Sequence, residues 1–195
     1  DWTDTLGLLD LSHTEVSPLQ VSYRSTRQIM TVAHDILGPL APDTPPTTTR
    51  EGAPVAHLAF GGMGEAVAWL ATALTDLMHR ERTAYVALLC AHMGDAHNWF
   101  NVLERAEVPH LDLVDDQDFS FSPGIEVTDI RSSKGLEFDY VVLLGADADR
   151  YGMDDGSRHL LHVGATRAAH QLWFVSTGRP SKLIPEHLPG LVDGT

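Results

Sequence analysis

Hydrophobic and polar positions follow two periods along this chain, one typical of strands and one typical of helices. The continuous apolar runs "YVALLC" (residues 85–90) and "YVVLLGA" (residues 140–146) predict central strands that are buried on both faces of a sheet. In residues 64–80 the apolar positions recur every three or four residues, which predicts a helix that packs by one face. Strand and helix patterns alternate in this way over most of the sequence.

The first predicted helix has a defined start. Ser25 and Gln28 fit the Ser-x-x-Gln capping box with Ser25 as the N-cap, and apolar residues follow at helical spacing as far as Leu37. A proline- and threonine-rich connector, residues 38–54, is predicted to be a surface loop. The remaining predicted elements are strands at residues 54–60, 83–90, 108–114, 124–130, 139–146 and 171–177, and helices at residues 64–80, 95–106 and 157–169.

This alternation predicts an α/β fold in which helices cover both faces of a mostly parallel sheet. Residues 1–195 are expected to form one domain, because their number is that of an ordinary single domain. In sheets of this kind ligands bind at the carboxyl ends of the strands. We therefore expect the loops after "VTDI" (residues 127–130) and "VLLG" (residues 142–145) to lie at the ligand-binding edge.

Composition and charge narrow the class of protein. The hydrophobic fraction of 43% is enough for a folded core, and no apolar run approaches the ~20 residues that span a bilayer. The sequence starts at Asp1 without a leader pattern, so we expect a soluble, cytoplasmic piece of a longer protein. A net charge of −14 argues against a domain that holds nucleic acid by charge alone, so such a role needs a local basic patch.

The residue patterns predict no disulfide, no metal site and no complete nucleotide site within this chain. Cys90 is the only cysteine, and it lies in an apolar run that is typical of a core. Four aspartates in residues 147–155 fail the spacing of a calcium loop, so a polar surface loop is predicted there. The glycine turn "FGGMGEA" (residues 60–66) fits neither a P-loop nor a dinucleotide fingerprint, and neither pattern occurs elsewhere in the chain.

Three stretches place charged residues at the ends of predicted elements. In "SYRST" (residues 22–26) an aromatic ring and a cation precede a helix N-terminus, which is an end that favours anions. "DIRSSKGLEF" (residues 129–138) joins two apolar strands. In "LLHVGATRAAHQLWF" (residues 160–174) Arg167 lies near the end of a helix that leads into a strand. Taken singly, these stretches are consistent with a helix cap, a turn and a helix-end charge.

Together and in this order, the three stretches resemble motifs IV, V and VI of superfamily 1 helicases of the UvrD/Rep/PcrA type. The family patterns Tyr-Arg-Ser, Lys-Gly-Leu-Glu-Phe and Thr-Arg-Ala stand here at residues 23–25, 134–138 and 166–168. The resemblance implies a three-layer RecA-like domain of the P-loop NTPase type that lacks its own Walker A motif. It would be the C-terminal motor domain, with the Walker lysine and the magnesium-binding acid on an N-terminal RecA-like domain outside this chain.

The resemblance also implies roles in binding ATP between the two domains. Tyr23 would stack on the adenine base. Arg24 and Arg167 would reach the γ-phosphate as arginine fingers, which makes them the catalytic residues of this chain. Glu137 would contact the ribose or help to couple the nucleotide to motion. The Mg²⁺ that accompanies ATP would be held by the N-terminal motor domain.

A second set of residues lies where the family touches both the nucleotide cleft and the DNA strand, namely Arg131, Ser132 and Lys134. The chain departs from the family pattern here, with Asp129 and Arg131 in place of the usual threonine and histidine. Gly164 likewise replaces an alanine of the last motif. The positions that contact the strand are thus altered, whereas both arginines for the γ-phosphate are retained.

The function implied by the resemblance is that of an ATP-dependent DNA helicase, an ATP hydrolase that needs both motor domains, so the isolated chain is expected to be inactive. About a hundred residues separate Tyr23 from Lys134, too few for the helical insert usual between motifs IV and V. This spacing is similar to that of a compact branch with helicase IV-like and HelD-type proteins, the latter acting on RNA polymerase. Two functions stay open: a motor on single-stranded DNA, and an ATPase that remodels or recycles RNA polymerase.

Overall fold

The computed structural model describes residues 21–22, 24–43, 47–115 and 118–190. Within them, two short strands, β1 (Val21–Ser22) and β2 (Thr47–Thr48), form a separate parallel pair. The main sheet consists of β3 (Ala56–Ala59), β4 (Tyr85–Cys90), β5 (Leu111–Leu113), β6 (Gly124–Asp129), β7 (Phe138–Leu144) and β8 (Ala168–Ser176). The helices are α1 (Arg27–Leu37), α2 (Met63–Arg80), α3 (Met93–Arg105) and α4 (Asp155–Ala165), with a 3₁₀ turn at Gly38–Leu40.

The main sheet is parallel throughout, with the strand order β3-β8-β7-β4-β6-β5. Because all six strands run in the same direction, their amino ends meet at one edge of the sheet and their carboxyl ends meet at the opposite edge. We call these the amino edge and the carboxyl edge. β4 lies between β6 and β7, so the chain crosses over β4 when it passes from β6 to β7.

Helices cover both faces of the sheet and bury two separate apolar cores. On one face, α1 and α4 contribute residues such as Ile29 and Leu161. On the other face, α2 and α3 contribute residues such as Leu70 and Trp99. Strand β4 is buried on both faces, since successive side chains alternate between the two cores. The predicted three-layer α/β fold with a parallel sheet is therefore confirmed.

The predicted start of the first helix is wrong by one residue. Thr26, not Ser25, is the N-cap of α1, and its hydroxyl accepts a hydrogen bond from the backbone N–H of Ile29. Ser25 is buried and its hydroxyl instead donates to the carbonyl of Ala168, 2.7 Å away. The side chain of Gln28 contacts the connector rather than the helix end. A tertiary hydrogen bond thus takes the side chain that the local pattern assigned to the cap.

The last helix is shorter than predicted. α4 ends at Ala165 with Thr166 as its C-cap, and β8 begins at Ala168. The residues after Arg167 leave the helix because they pair with β7, where Ala168 lies opposite Phe138. Arg167 therefore lies in the short junction between α4 and β8.

The connector, residues 38–54, is only partly the surface loop that its composition predicts. It contains the 3₁₀ turn and strand β2, and Thr48 is buried. The hydroxyl of Thr48 donates to the carbonyl of Ser25 at 3.0 Å, and the backbone N–H of Arg27 donates to the carbonyl of Arg50 at 2.8 Å. These bonds attach the end of the connector to the turn that precedes α1.

Candidate functional site

Arg24, Glu137 and Arg167 come together at the amino edge of the sheet. Glu137 directly precedes β7 and Arg167 directly precedes β8, and these two strands are neighbours. The backbone N–H of Phe138 donates to the carbonyl of Arg167 at 3.0 Å, which fixes the two strand starts side by side. Arg24 forms an ion pair with Glu137. Residues far apart in the sequence thus meet because adjacent parallel strands start at the same edge.

The buried hydroxyl of Ser25 is what brings Arg24 to this edge. Its hydrogen bond to Ala168 ends one residue beyond Arg167, so the turn before α1 is anchored beside the junction of α4 and β8. The side chains of Arg24 and Glu137 are 55% and 40% exposed. An ion pair with that much exposure contributes only about 0–1 kcal/mol to folding. The pair therefore leaves the Arg24 guanidinium available to another anion.

Arg167 is more enclosed than Arg24 and is partly occupied by carbonyl groups. Its Nε donates to the carbonyl of Val163 at 3.1 Å, its Nη1 to that of Leu136 at 3.0 Å, and its Nη2 to the hydroxyl of Thr166 at 3.4 Å. A guanidinium has five N–H groups, so these bonds leave two for a ligand. Arg167 consequently links the loop before β7 to the end of α4 and still faces the site.

The electrostatic setting of Arg167 favours an anion. Burial, and then the nearby charge of Arg24, lower the pKa of Arg167 from its ordinary value, whereas Glu137 raises it. Arginine stays protonated in proteins despite such shifts. Two cations with one carboxylate between them therefore carry a net positive charge, which a phosphate group would neutralise.

The predicted strand-contacting residues lie in the loop that leaves the other edge of the sheet. Arg131, Ser132 and Lys134 follow the carboxyl end of β6, and the backbone N–H of Ser132 donates to the Asp129 carboxylate at 2.7 Å. Arg131 and Lys134 are exposed. They border a groove of about 440 Å³ whose other lining residues are Ile130, Gly156, His159, Leu160 and Val163.

One loop joins the two candidate sites. Residues 130–137 begin at the carboxyl end of β6, cross over β4, and end at the amino end of β7. Ile130 and Leu136 pack in the core shared with α1 and α4, so the loop lies on that face. Gly135 has a φ of +89°, which glycine adopts without strain. The loop carries Arg131 near its start, Lys134 near its middle and Glu137 at its end.

The loops after "VTDI" and "VLLG" start at the carboxyl edge, as the sequence pattern predicts. Arg24, Glu137 and Arg167 lie at the opposite, amino edge, because they precede their elements rather than follow strands. Tyr23, the predicted adenine-stacking residue, lies outside the described residues.

A cavity of about 630 Å³ does lie at the carboxyl edge, between the end of β7 and the start of α3. Its main charges are paired within the protein. Arg150 donates to both carboxylate oxygens of Asp95 at 2.9 and 3.0 Å, and Asp147 accepts from the backbone N–H groups of Thr177 and Gly178. Asp147 is buried, so the predicted polar surface loop is in part a packed structural loop.

The sequence patterns did not predict that Arg50, His170 and Asp139 form a chain of contacts that leads to Arg24. Arg50 contacts the carbonyl of Arg24 and the imidazole of His170, and His170 faces the carboxylate of Asp139. A lone arginine in a proline- and threonine-rich connector carries no local signal. His170 had a weak signal, since Ala169 and His170 replace the lysine that often follows Thr-Arg-Ala in the family.

Within the described part of the chain, no three His, Cys, Asp or Glu side chains lie close enough together to hold a metal ion. Cys90 is fully buried, and burial raises the pKa of its thiol. None of the described helices is both long and apolar enough to cross a lipid bilayer. The cations at the amino edge fit the phosphates of ATP, whereas the described residues provide no obvious ligand set for its Mg²⁺.

The fold is a three-layer α/β domain with a parallel sheet, and Arg24, Glu137 and Arg167 lie together at its amino edge. Residues 124–175 match the family model of the UvrD-like helicase C-terminal domain. The fold is similar to the C-terminal domain of a possible DNA helicase from Lactobacillus plantarum WCFS1, with 26% identity, a TM-score of 0.68, and coverage of 84% of this chain and 92% of that chain. No curated protein sequence matches. The resemblance to this helicase family is confirmed.

Proposed function

We propose that this chain is the C-terminal motor domain of a superfamily 1 helicase-type ATPase and that it completes an ATP site shared with an N-terminal RecA-like domain. One observation carries the proposal: Arg24 pairs with Glu137 at the amino edge of the sheet, and Arg167, far away in the sequence, lies close enough for both charges to act on it. Two guanidinium groups at the same edge suit the charge that develops on a transferred γ-phosphate.

The exposed Arg24–Glu137 pair supports an exchange mechanism. When ATP enters the interdomain cleft, its γ-phosphate replaces Glu137 as the partner of Arg24 and engages the two N–H groups that Arg167 has left. The triphosphate offers more charge than one carboxylate, so the exchange is favourable. The released Glu137 is then free to reach the ribose. Mg²⁺, held by residues outside this chain, would neutralise part of the charge on the phosphates.

The loop of residues 130–137 provides a route from nucleotide to strand. Glu137 lies at its end beside Arg24, whereas Arg131 near its start and Lys134 near its middle border the groove. Arg167 also donates to the carbonyl of Leu136 within this loop. A change in the position of Arg167 or Glu137 on hydrolysis therefore acts directly on the segment that carries the strand-contacting cations.

The groove at the carboxyl edge offers both kinds of contact that a single nucleic-acid strand uses. Arg131 and Lys134 supply charge for the phosphates, and Leu160 and Val163 supply an apolar floor for bases. The chain as a whole carries a net charge of −14, so affinity depends on this local patch. We assign single-stranded DNA as the track. Neither the family match nor the structural relative supports RNA polymerase as a partner.

ATP turnover by the full-length protein tests the proposal. Arg24→Ala is the cleanest variant, because the side chain is exposed and its loss removes only a weak ion pair. We expect kcat to fall by about 10³-fold or more in Arg24→Ala and in Arg167→Ala. Arg80→Gln is the matched control, since it removes an exposed guanidinium at the end of α2, on the other face of the sheet. Turnover near wild type in Arg24→Ala would contradict the proposal.

A further inference from the structure

Arg50 lies outside the three motifs and holds the main chain of Arg24. Its Nη1 donates to the carbonyl oxygen of Arg24 at 2.7 Å. The bond joins residues 26 positions apart, so it is not part of a local turn. A carbonyl held by a guanidinium is a strong, directional contact, because the donor is charged. The backbone from which the Arg24 side chain extends is therefore fixed by Arg50.

The other end of the Arg50 guanidinium is held by His170. Its Nη2 lies 2.9 Å from Nδ1 of His170. Arginine has only N–H donors, so Nδ1 must be the acceptor and His170 must be neutral with its proton on Nε2. That nitrogen faces the carboxylate of Asp139 at 3.4 Å. The second carboxylate oxygen of Asp139 accepts from the backbone N–H of Tyr85 at 2.9 Å.

This chain of contacts runs from β4 to the turn before α1. Asp139 is anchored to the start of β4, it orients His170 on β8, and His170 orients Arg50, which holds Arg24. The backbone of Arg50 is itself fixed, because its carbonyl accepts from Arg27. Arg50 is thus held at its backbone by Arg27 and at its side chain by His170. Its side chain links the connector to β8 and to Arg24.

We propose that Arg50 is a positioning residue for Arg24, with His170 and Asp139 holding it in place. The inference rests on the proposed function, in which Arg24 binds the γ-phosphate. Because the Arg24 side chain is more than half exposed and its one ion pair is weak, the position of its backbone decides where the guanidinium points. Loss of Arg50 would therefore weaken the interaction with the γ-phosphate more than the contacts with the adenosine diphosphate part of the nucleotide.

A double-mutant cycle on the full-length protein tests this, with the dissociation constants of a non-hydrolysable ATP analogue and of ADP as readouts. Loss of a hydrogen bond to a charged group weakens binding by about 10- to 100-fold. We expect Arg50→Gln to weaken binding of the ATP analogue about 10- to 100-fold and to leave ADP binding within about 2-fold. In an Arg24→Ala background, Arg50→Gln should have no further effect, because the residue that it positions is gone.

Substitutions of His170 distinguish a role in positioning Arg50 from a purely structural role. In His170→Asn the side-chain oxygen lies near the place of Nδ1 and accepts from Arg50, so binding of the ATP analogue should stay close to wild type. His170→Ala removes the acceptor and should reproduce the loss seen in Arg50→Gln. Thermal unfolding of each variant is measured alongside, and Arg80→Gln again serves as the control for loss of an exposed guanidinium.

The outcomes distinguish a failure of the proposed function from a failure of the positioning role of Arg50. If Arg24→Ala leaves the affinity for the ATP analogue unchanged, the proposed function and this inference fail together. If Arg24→Ala weakens binding of the ATP analogue but Arg50→Gln does not, the positioning role alone is overturned. The same conclusion follows if Arg50→Gln weakens binding of ADP as much as binding of the analogue. It also follows if Arg50→Gln has its full effect in the Arg24→Ala background. Equal losses in His170→Asn and His170→Ala would likewise remove His170 from the chain of contacts.

Discussion

The hydroxyl of Ser25 donates a 2.7 Å hydrogen bond to the carbonyl of Ala168, a residue 143 positions further along the chain. The bond is buried, and it joins the turn that carries Arg24 to the first residue of β8. Since Arg167 directly precedes Ala168, this contact sets the spacing of the two arginines. The Ser25 side chain thus makes a tertiary hydrogen bond, whereas the side chain of its neighbour Thr26 caps the helix.

Ser25→Ala and Thr26→Ala are expected to destabilise the fold to similar degrees and to affect turnover differently. Loss of the buried hydrogen bond costs about 1 kcal/mol, and loss of the N-cap also costs about 1 kcal/mol. Only Ser25→Ala removes the link between Arg24 and Arg167, so it alone should lower the kcat of the full-length protein. Urea denaturation and ATP turnover measured together check this, and equal turnover in both variants would refute the link.

Arg131→Ala and Lys134→Ala should each weaken binding of single-stranded DNA by the full-length protein and reduce its salt dependence. Each lost phosphate contact lowers the slope of log K against log[salt] by about 0.7 for a single strand. The measurement is titration of a labelled oligothymidine at several salt concentrations. Arg80→Gln, at the end of α2, should leave the slope unchanged. An unaltered slope in both groove variants would remove the carboxyl-edge groove from the nucleic-acid interface.

Stability should decline as the pH falls below about 6.5, in part because of His162. Burial lowers the pKa of His162 despite the hydrogen bond to the carbonyl of Ala33 at 3.0 Å. An unfolded histidine titrates near pH 6.5, so the unfolded chain takes up a proton that the folded chain resists. His57 acts in the same direction, because burial lowers its pKa more than Asp147 raises it.

The variant His162→Asn isolates this contribution. Asparagine retains an N–H donor for the carbonyl of Ala33 but does not titrate. We expect its free energy of unfolding to fall less steeply than that of the wild type between about pH 7 and pH 5. Chemical denaturation at a series of pH values measures the difference, and parallel curves for the two proteins would show that His162 does not contribute.

Gly164→Ala restores the residue usual in the family and is nevertheless expected to destabilise this chain. An added Cβ would lie 2.6 Å from Cδ2 of Leu143 and 3.0 Å from Cδ1 of Ile130, both in the core. Overpacking costs about 1–3 kcal/mol, and the better helix propensity of alanine returns about 1 kcal/mol. Urea denaturation should show a net loss of up to about 2 kcal/mol.

Gly94→Ala in α3 is the control for this experiment. A Cβ at Gly94 meets nothing within 4 Å, so only the helix propensity changes there. Its free energy of unfolding should stay the same or rise by up to about 1 kcal/mol. If Gly164→Ala is as stable as Gly94→Ala, the core beside β7 has room for the methyl group, and the departure from the family pattern has no packing cause.

Much of the fold could be predicted because the strands β4 and β7 are continuous apolar runs and the faces of α2 and α3 repeat at helical spacing. The same local patterns failed at the element ends. Ser25 matched a capping box but is used by β8, and the end of α4 was extended because the pairing of Ala168 with β7 is not a local property.

The sequence by itself determined the α/β class, the parallel sheet and the three motifs, since these depend on residue type and on short-range spacing. Only the tertiary structure decided that Arg24, Glu137 and Arg167 share the amino edge, while the loop that carries Arg131 and Lys134 starts at the other edge. It also showed that Arg50 and His170 belong beside Arg24. Strand order and direction bring these residues together, and strand order arises from packing between distant segments, which no local pattern records.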